Sequence, residues 1–240
     1  MKTNLTRRAA LGGAIALPLA GLVAQKAKAK APMLGAGGAP FTRITLGGFD
    51  VTTLLAGSRA VPEPQKIFGT NVPAEEFNAV SAANHLPIDQ AQFFFTPTVI
   101  NTGSELVLFD TGLSGEGTSA ALVAAGYTPE QIDVVVITHM HGDHIGGLMT
   151  GGKPTFANAR YVTGETEFDA WGEAGNDGFE GKVRPLAEQM TFLKGGGSVA
   201  SGITAIEAFG HTPGHMAYMV ESDGKQLVIA ADFANHYVWS

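Results

Sequence analysis

A chain of 240 residues that is 45% hydrophobic can bury one domain-sized core, and its lack of cysteine excludes disulfides and thiolate metal sites. Any protein ligand to a metal must therefore be a nitrogen or an oxygen. Acidic residues outnumber basic ones by 22 to 15, which argues against nucleic acid, whose phosphates are bound through lysine and arginine.

The first 29 residues carry an export pattern. Thr6-Arg7-Arg8-Ala9-Ala10-Leu11 resembles a twin-arginine signal, a weakly hydrophobic stretch runs to Val23, and Ala27-Lys28-Ala29 offers a cleavage site. Ala10 stands where such signals usually carry an aromatic, so an ordinary secretory signal is the alternative. Residues 1–29 are expected to be removed, leaving a periplasmic or secreted product. They take away five bases and no acid, so ten bases remain against 22 acids, a net charge of −12. No run in the remaining chain is long and apolar enough to span a membrane.

Residues 30–40 read as a flexible leader and residues 41–240 as one domain. Thr42–Leu46 and Phe49–Leu55 alternate as a hairpin about Gly47-Gly48. From Ala56 to Gln90 the pattern is irregular and contains four prolines, which predicts either a surface excursion or a lid. Gln92–Asn101 and Glu105–Asp110 predict a second hairpin. Phe93-Phe94-Phe95 within it are candidates to line an apolar entrance, although three adjacent aromatics on a strand must face both sides and at least one belongs to the core. Ser114–Ala125 predicts a helix stopped by Gly126, and Thr128-Pro129-Glu130 a short helical turn.

Val134-Val135-Val136-Ile137 then predict a buried strand closed by Thr138. Immediately after it come His139, His141, Asp143 and His144, three of the chain's seven histidines and a carboxylate within six residues. Imidazole and carboxylate are the ligands that a borderline divalent ion such as zinc accepts. His139 and His141, two apart, fall on one side of an extended chain and can chelate one ion; Asp143 and His144, a turn further on, point to a second position. A helix is expected to follow and end at Gly151-Gly152. Arg160–Thr163 predicts a strand, Glu165–Trp171 a short helix, and Gly172–Gly181 a mobile glycine-rich stretch, with Trp171 and Phe179 assigned to packing.

Ile203–Phe209 predicts a strand running into Gly210-His211-Thr212-Pro213-Gly214-His215. Ala217–Glu221 and Gln226–Ala231 predict a hairpin through Asp223-Gly224, and Asp232 ends its second strand. His211 is read as supporting its turn by hydrogen bonding, His236 as a surface residue with a place in the pocket lining as the alternative, and His85 is assigned nothing.

The run His139-Met140-His141-Gly142-Asp143-His144 resembles the HxHxDH signature of the metallo-β-lactamase fold. Asn101–Gly112, Ala125–Met149 and Gly210–Gly214 resemble the methyl parathion hydrolase and N-acyl-homoserine lactonase branch of that superfamily, and the likeness extends from about Phe41 to Asp232. It implies an α/β fold of the αββα sandwich type. It also implies two divalent metal ions, zinc by the ligand types. The first would be held by His139, His141, His215 and Asp232, the second by Asp143, His144 and Asp232, with Asp110 supporting the ligands from behind. Asp232 would bridge the ions, with Ala231 standing where the family usually has glycine. The family continues to a further histidine on the second metal, so the chain reads as truncated at its C-terminus.

By the same resemblance the chain is a hydrolase in which the metals acidify a shared water. Asp143 and Asp232 are its candidate catalytic residues. The expected substrates are lactones or esters of small neutral hydrophobic molecules such as acyl-homoserine lactones. An organophosphate triesterase using the same site, and a non-catalytic metal-binding fragment, are the alternatives. No Ser-His-Asp or Cys-His arrangement is visible, so a covalent intermediate is not indicated. The partner is expected to be a small molecule, with no nucleic acid and no membrane after signal removal; a homodimer is left open.

Overall fold

The computed structural model describes residues 40–239. The export signal expected over residues 1–29, and the leader up to residue 39, lie outside the described residues. In chain order the strands and helices are β1 (Phe41–Leu46), β2 (Phe49–Leu54), β3 (Gly57–Pro62), α1 (Ala74–Ala83), β4 (Gln90–Phe95), β5 (Thr98–Asn101), β6 (Leu106–Phe109), α2 (Gly115–Ala124), β7 (Val134–Ile137), α3 (Gly142–Ile145), β8 (Met149–Thr150), β9 (Lys153–Pro154), β10 (Arg160–Gly164), α4 (Glu165–Ala174), α5 (Asp177–Lys182), β11 (Met190–Leu193), β12 (Ser198–Ala200), β13 (Ile203–Glu207), β14 (Met216–Ser222) and β15 (Lys225–Ile229).

Seven strands form a mixed sheet in the order β1-β2-β5-β6-β7-β10-β11, antiparallel on the β1 side and parallel from β6 to β11. A second, antiparallel sheet runs β12-β13-β14-β15. The central strand β7 shows why two cores form. Its four residues are fully buried, but successive side chains face opposite ways. Val135 and Ile137 join Leu108, Leu122, Phe179 and Leu186 on the helix side. Val134 and Val136 join Val107, Phe109, Ile203, Tyr218 and Val220 between the sheets. The result is a helix layer on one face of the large sheet and the second sheet on the other. The outer face of that second sheet exposes Ile206 and Val228.

Three expectations change. The strand predicted over Gln92–Asn101 breaks at Thr96-Pro97, and its first half, β4, pairs instead with β3 in a separate ribbon. The irregular 56–90 stretch contains β3 and α1. The helix predicted to reach Gly151 stops at Ile145; Gly151 and Gly152, both at positive φ, turn the small β8–β9 hairpin. Gly172–Gly181 is largely helical, because Gly175 caps α4 in the left-handed region, the Asn176 side chain caps α5, and Phe179 is fully buried.

The loop after β6, Asp110–Ser114, is docked on the end of α3. Thr111 donates both its amide and its hydroxyl to the His144 carbonyl, at 2.8 and 2.7 Å, and its hydroxyl oxygen accepts the Gly147 amide at 3.1 Å. A Cβ at Gly147 would collide with the Thr111 carbonyl and approach the Ser114 carbonyl to 3.0 Å. Because both obstacles are backbone, Gly147→Ala is expected to lower stability by about 1–3 kcal/mol, measured by chemical denaturation.

Candidate metal centre

The histidine motif sits where β7 ends, at the carboxyl edge of the parallel strands, the usual place for a site in such a sheet. Thr138 fastens that edge to its neighbour. Its amide donates to Asp110 Oδ1 at 2.9 Å and its hydroxyl to Oδ2 at 2.8 Å. Asp110 adopts φ +59°, a conformation that aspartate tolerates better than most side chains. Its Oδ2 also accepts from His144 Nδ1 at 2.8 Å.

These bonds dictate which imidazole nitrogens face inward. The Thr138 hydroxyl proton is committed to Asp110, so toward His139 Nδ1, at 3.1 Å, Oγ1 can only accept. Nδ1 therefore carries the proton. Burial, then the neighbouring His144, push His139 far below its ordinary pKa, so the ring is neutral and Nε2 offers a lone pair. His215 repeats the arrangement. Its Nδ1 donates to the Ala208 carbonyl at 3.1 Å, burial and His211 depress its pKa, and its Nε2 accepts the Asp232 amide at 3.2 Å. Burial and His211 likewise depress His141.

The inward atoms converge. His139 Nε2 lies 3.1 Å from His141 Nδ1, which in turn lies 3.0 Å from His211 Nε2. On the other side, His144 Nε2 is 3.4 Å from Asp232 Oδ1, and Asp232 Oδ2 is 3.3 Å from His211 and 3.8 Å from His139. Two overlapping groups result, His139-His141-His211 and His139-His144-Asp232, each with its ligand atoms within 4.8 Å of one another. Burial opposes charge on His144, but its contacts with Asp110 and Asp232 prevail and hold its pKa up at about 10. Burial opposes the charge on Asp232 as well, yet hydrogen bonds from His144 and His211 keep its carboxyl well below the usual range. The depressed His139, His141 and His215 rings are neutral and Asp232 is ionised. With His144, whose proton a bound cation would displace, they form the donor set of a borderline divalent ion, and the site fits one.

His139, His141, His144 and Asp232 are thus brought together, with Asp110 behind them. His215 adjoins through its bond to the Asp232 backbone. Asp143 stands at the rim, its carboxylate 3.8 Å from His144 Nε2. Two readings are corrected. His211 faces the cluster instead of merely supporting its turn, because its Nε2 reaches both His141 and Asp232. His236 is half-buried in the cleft wall instead of lying on the surface, its Nδ1 accepting the Val238 and Trp239 amides. Trp171 packs against the core as read, but its ring also meets His141 edge-on at 5.6 Å. Sequence reasoning missed Thr138, whose role depends on a partner 28 residues away, and Asn235, whose Nδ2 donates to Asp232 Oδ2 at 3.1 Å.

Asp232 does not end a strand. β15 stops at Ile229, and Asp232 sits in a single helical turn after Ala231, which is held at φ +48°. Alanine in the left-handed region costs about 1–2 kcal/mol, a cost glycine does not bear.

This geometry sits within a family. Residues 96–237 match the metallo-beta-lactamase superfamily, and the chain belongs to it. Among curated relatives it is 29% identical over 140 residues to the exodeoxyribonuclease WalJ of Streptococcus pneumoniae, covering 55% of this chain and 48% of that protein. The chain spans about half the length of the curated relatives it matches. Its fold is similar to that of AidC, a dizinc quorum-quenching lactonase, with a TM-score of 0.68, 21% identity, and coverage of 78% of this chain and 72% of that one. It is similar in fold also to the hydrolase AbOPH of the beta lactamase superfamily, with a TM-score of 0.69, 24% identity, and coverage of 80% and 74%.

Two outcomes follow from the local geometry. Asp110→Asn replaces an acceptor of three hydrogen bonds by a group with one acceptor and one donor end, and should weaken zinc binding about 10- to 100-fold in a chelator competition. Ala231→Gly should raise Tm by about 2–4 °C in a thermal melt, the effect of relieving about 1 kcal/mol in a chain of this size.

Proposed function

We propose that this chain is a metal-dependent hydrolase that opens lactone or ester bonds of small, neutral, hydrophobic substrates of the acyl-homoserine-lactone kind. The observation that carries the reading is the junction of the histidine cluster with an apolar cleft of about 1030 Å³. Asp110, Asp143, His144 and Asp232 line it together with the aromatic rings of Phe68, Phe93 and Trp239. An electrophilic centre can thus sit at the cluster while an apolar tail is withdrawn from water.

His139, His141, His144, His215 and Asp232 would hold the ions, His211 stands ready as a further nitrogen donor, and we take the ions to be two zincs. When bound, such ions supply Lewis acidity and lower the pKa of water to near neutrality. The chain's own groups do the rest. Asp110 and Thr138 fix the rings of His144 and His139, so these two rings are already oriented toward the cluster. Asp143, half-exposed at the rim and near His144, is placed to accept or return a proton at the cleft mouth. Asn235 orients the Asp232 carboxylate.

A second reading, hydrolysis of aryl phosphotriesters, draws support from the same wall. Phe68 stacks on Phe93 and on Trp239, each at 5.6 Å, a surface suited to a planar aromatic leaving group. The substrate in either case is small and uncharged, consistent with an acidic chain, and no nucleic-acid partner is proposed although a nuclease is among the relatives. We place the protein outside the cytoplasm, in the periplasm or medium, on the strength of the resemblance of residues 1–29 to an export signal.

The purified mature chain should contain about two zinc equivalents, lose hydrolysis on chelation and regain it on adding zinc. A long-chain acyl lactone should turn over with a higher kcat/KM than an aryl phosphotriester. The reverse ranking would select the second reading, and inertness toward both with metal still bound would leave a metal-binding protein without this chemistry.

A further inference from the structure

Glu167, on the first turn of α4, is completely buried. A carboxylate removed from water must find donors, and this one finds three. Its Oε1 accepts the Met140 amide at 2.9 Å; its Oε2 accepts the Thr212 hydroxyl at 2.7 Å and the Gly214 amide at 2.9 Å. Met140 lies between His139 and His141. Thr212 and Gly214 lie between His211 and His215. One side chain, itself outside the cluster, therefore grips both histidine-bearing loops, one following the large sheet's β7 and the other leading into the second sheet's β14.

A separate observation shows that the grip is close. Gly214 lies so tightly on α4 that a Cβ there would collide with the Glu167 amide nitrogen and come within 2.6 Å of its Cα. A Cβ at Gly164, just before α4, would come within 2.8 Å of Met216 Cγ. The glycines let the second loop seat on the helix backbone, and the carboxylate then ties it to the first. The backbone bond from the Met216 amide to the Thr138 carbonyl, 2.9 Å, runs alongside. The hydrogen bonds of Glu167 among the described residues go to these two loops, whereas Asp110 serves His144.

The geometry points to Glu167 as a positioning residue that sets the separation of the His139–His141 loop from the His211–His215 loop, and thereby the affinity of the metal held by those histidines. The inference rests on the metal-centre reading above and adds an asymmetry to it. Loss of the Glu167 carboxylate weakens one metal equivalent and spares the one nearer Asp143 and His144.

The test is zinc titration against a competing chelator for the wild type, Glu167→Ala, Glu167→Gln and Thr212→Val, together with amide hydrogen exchange on the metal-free proteins. In Glu167→Ala one equivalent should bind about 10- to 100-fold more weakly, the range for losing a group that orients metal ligands, while the other keeps its affinity. Glu167→Gln should fall between, because its carbonyl still serves one loop while its amide meets the other loop's N–H. The Met140 and Gly214 amides should exchange faster in Glu167→Ala, with the Val136 and Val162 amides unchanged. Equal affinity in all four proteins, or equal weakening of both equivalents alongside a general loss of thermal stability, overturns the proposal. Should Glu167→Ala fail to fold, Glu167→Gln and Thr212→Val carry the same comparison. A wild type that takes up no zinc would sink the metal-centre reading itself, and hydrogen exchange would still judge the clamp: unchanged Met140 and Gly214 protection overturns it.

Discussion

Five imidazoles crowded beside one carboxylate are a liability unless each ring is told which nitrogen to turn inward. Asp110 does this for two of them. It accepts the Thr138 amide and hydroxyl and the His144 Nδ1 proton, and by occupying the Thr138 hydroxyl it forces His139 to spend its own proton on Thr138 Oγ1. The orientation of both rings thus traces back to a single buried acceptor. Water offers no such selection, because it donates and accepts with equal ease. The site's chemistry therefore depends on acceptors placed behind the ligands as much as on the ligands themselves.

The fold supplies those acceptors from different directions. Asp110 comes from the end of β6, the main histidine motif from β7, the Ala208 carbonyl from just beyond β13, and Asp232 from the turn after β15. The site lies at the seam where the edges of the two sheets meet, and the core between the sheets holds the seam closed. Burial there does two jobs. It packs Val134, Val136, Phe109 and Tyr218, and it keeps His139 and His215 neutral, since desolvation is the largest influence on both rings. A looser core would cost stability and would also hydrate the rings toward protonation.

Much of this was legible in the sequence, for identifiable reasons. The His139–His144 cluster is contiguous, so its residue types and spacing announce it without any tertiary knowledge. The β7 run and the hairpins at Gly47-Gly48 and Asp223-Gly224 follow from local periodicity and turn chemistry. What stayed hidden is what tertiary contact decides. His211 looks like any turn histidine until β14 brings it against His141. Glu167 looks like a surface residue on an acidic helix, since nothing in Glu165-Thr166-Glu167 tells which carboxylate is buried. The glycines of 172–181 suggested looseness, but Phe179 anchors that segment in the core, and a buried aromatic outweighs glycine's backbone freedom. Thr96-Pro97 broke a predicted strand because proline cannot donate to a continuing ladder.

The cleft wall stands apart from this. Phe68, Phe93 and Trp239 belong to the irregular 56–90 excursion, its β3–β4 ribbon and the end of the described chain, not to either sheet. Trp239 is held there by stacking on Phe77 at 5.3 Å and by a hydrogen bond from its indole nitrogen to Ser81 on α1. The ligand loops, by contrast, are bonded into both sheets and cannot shift without breaking buried hydrogen bonds. Reaction chemistry and substrate shape are therefore carried by parts of unequal rigidity. Aromatic stacking tolerates exchange of one ring for another, whereas a buried acceptor such as Asp110 or Glu167 tolerates almost none, because its donors would be left unpaired. Substitutions along the excursion can reshape the pocket while leaving the histidine cluster in place, so pocket shape can change without disturbing the donor set.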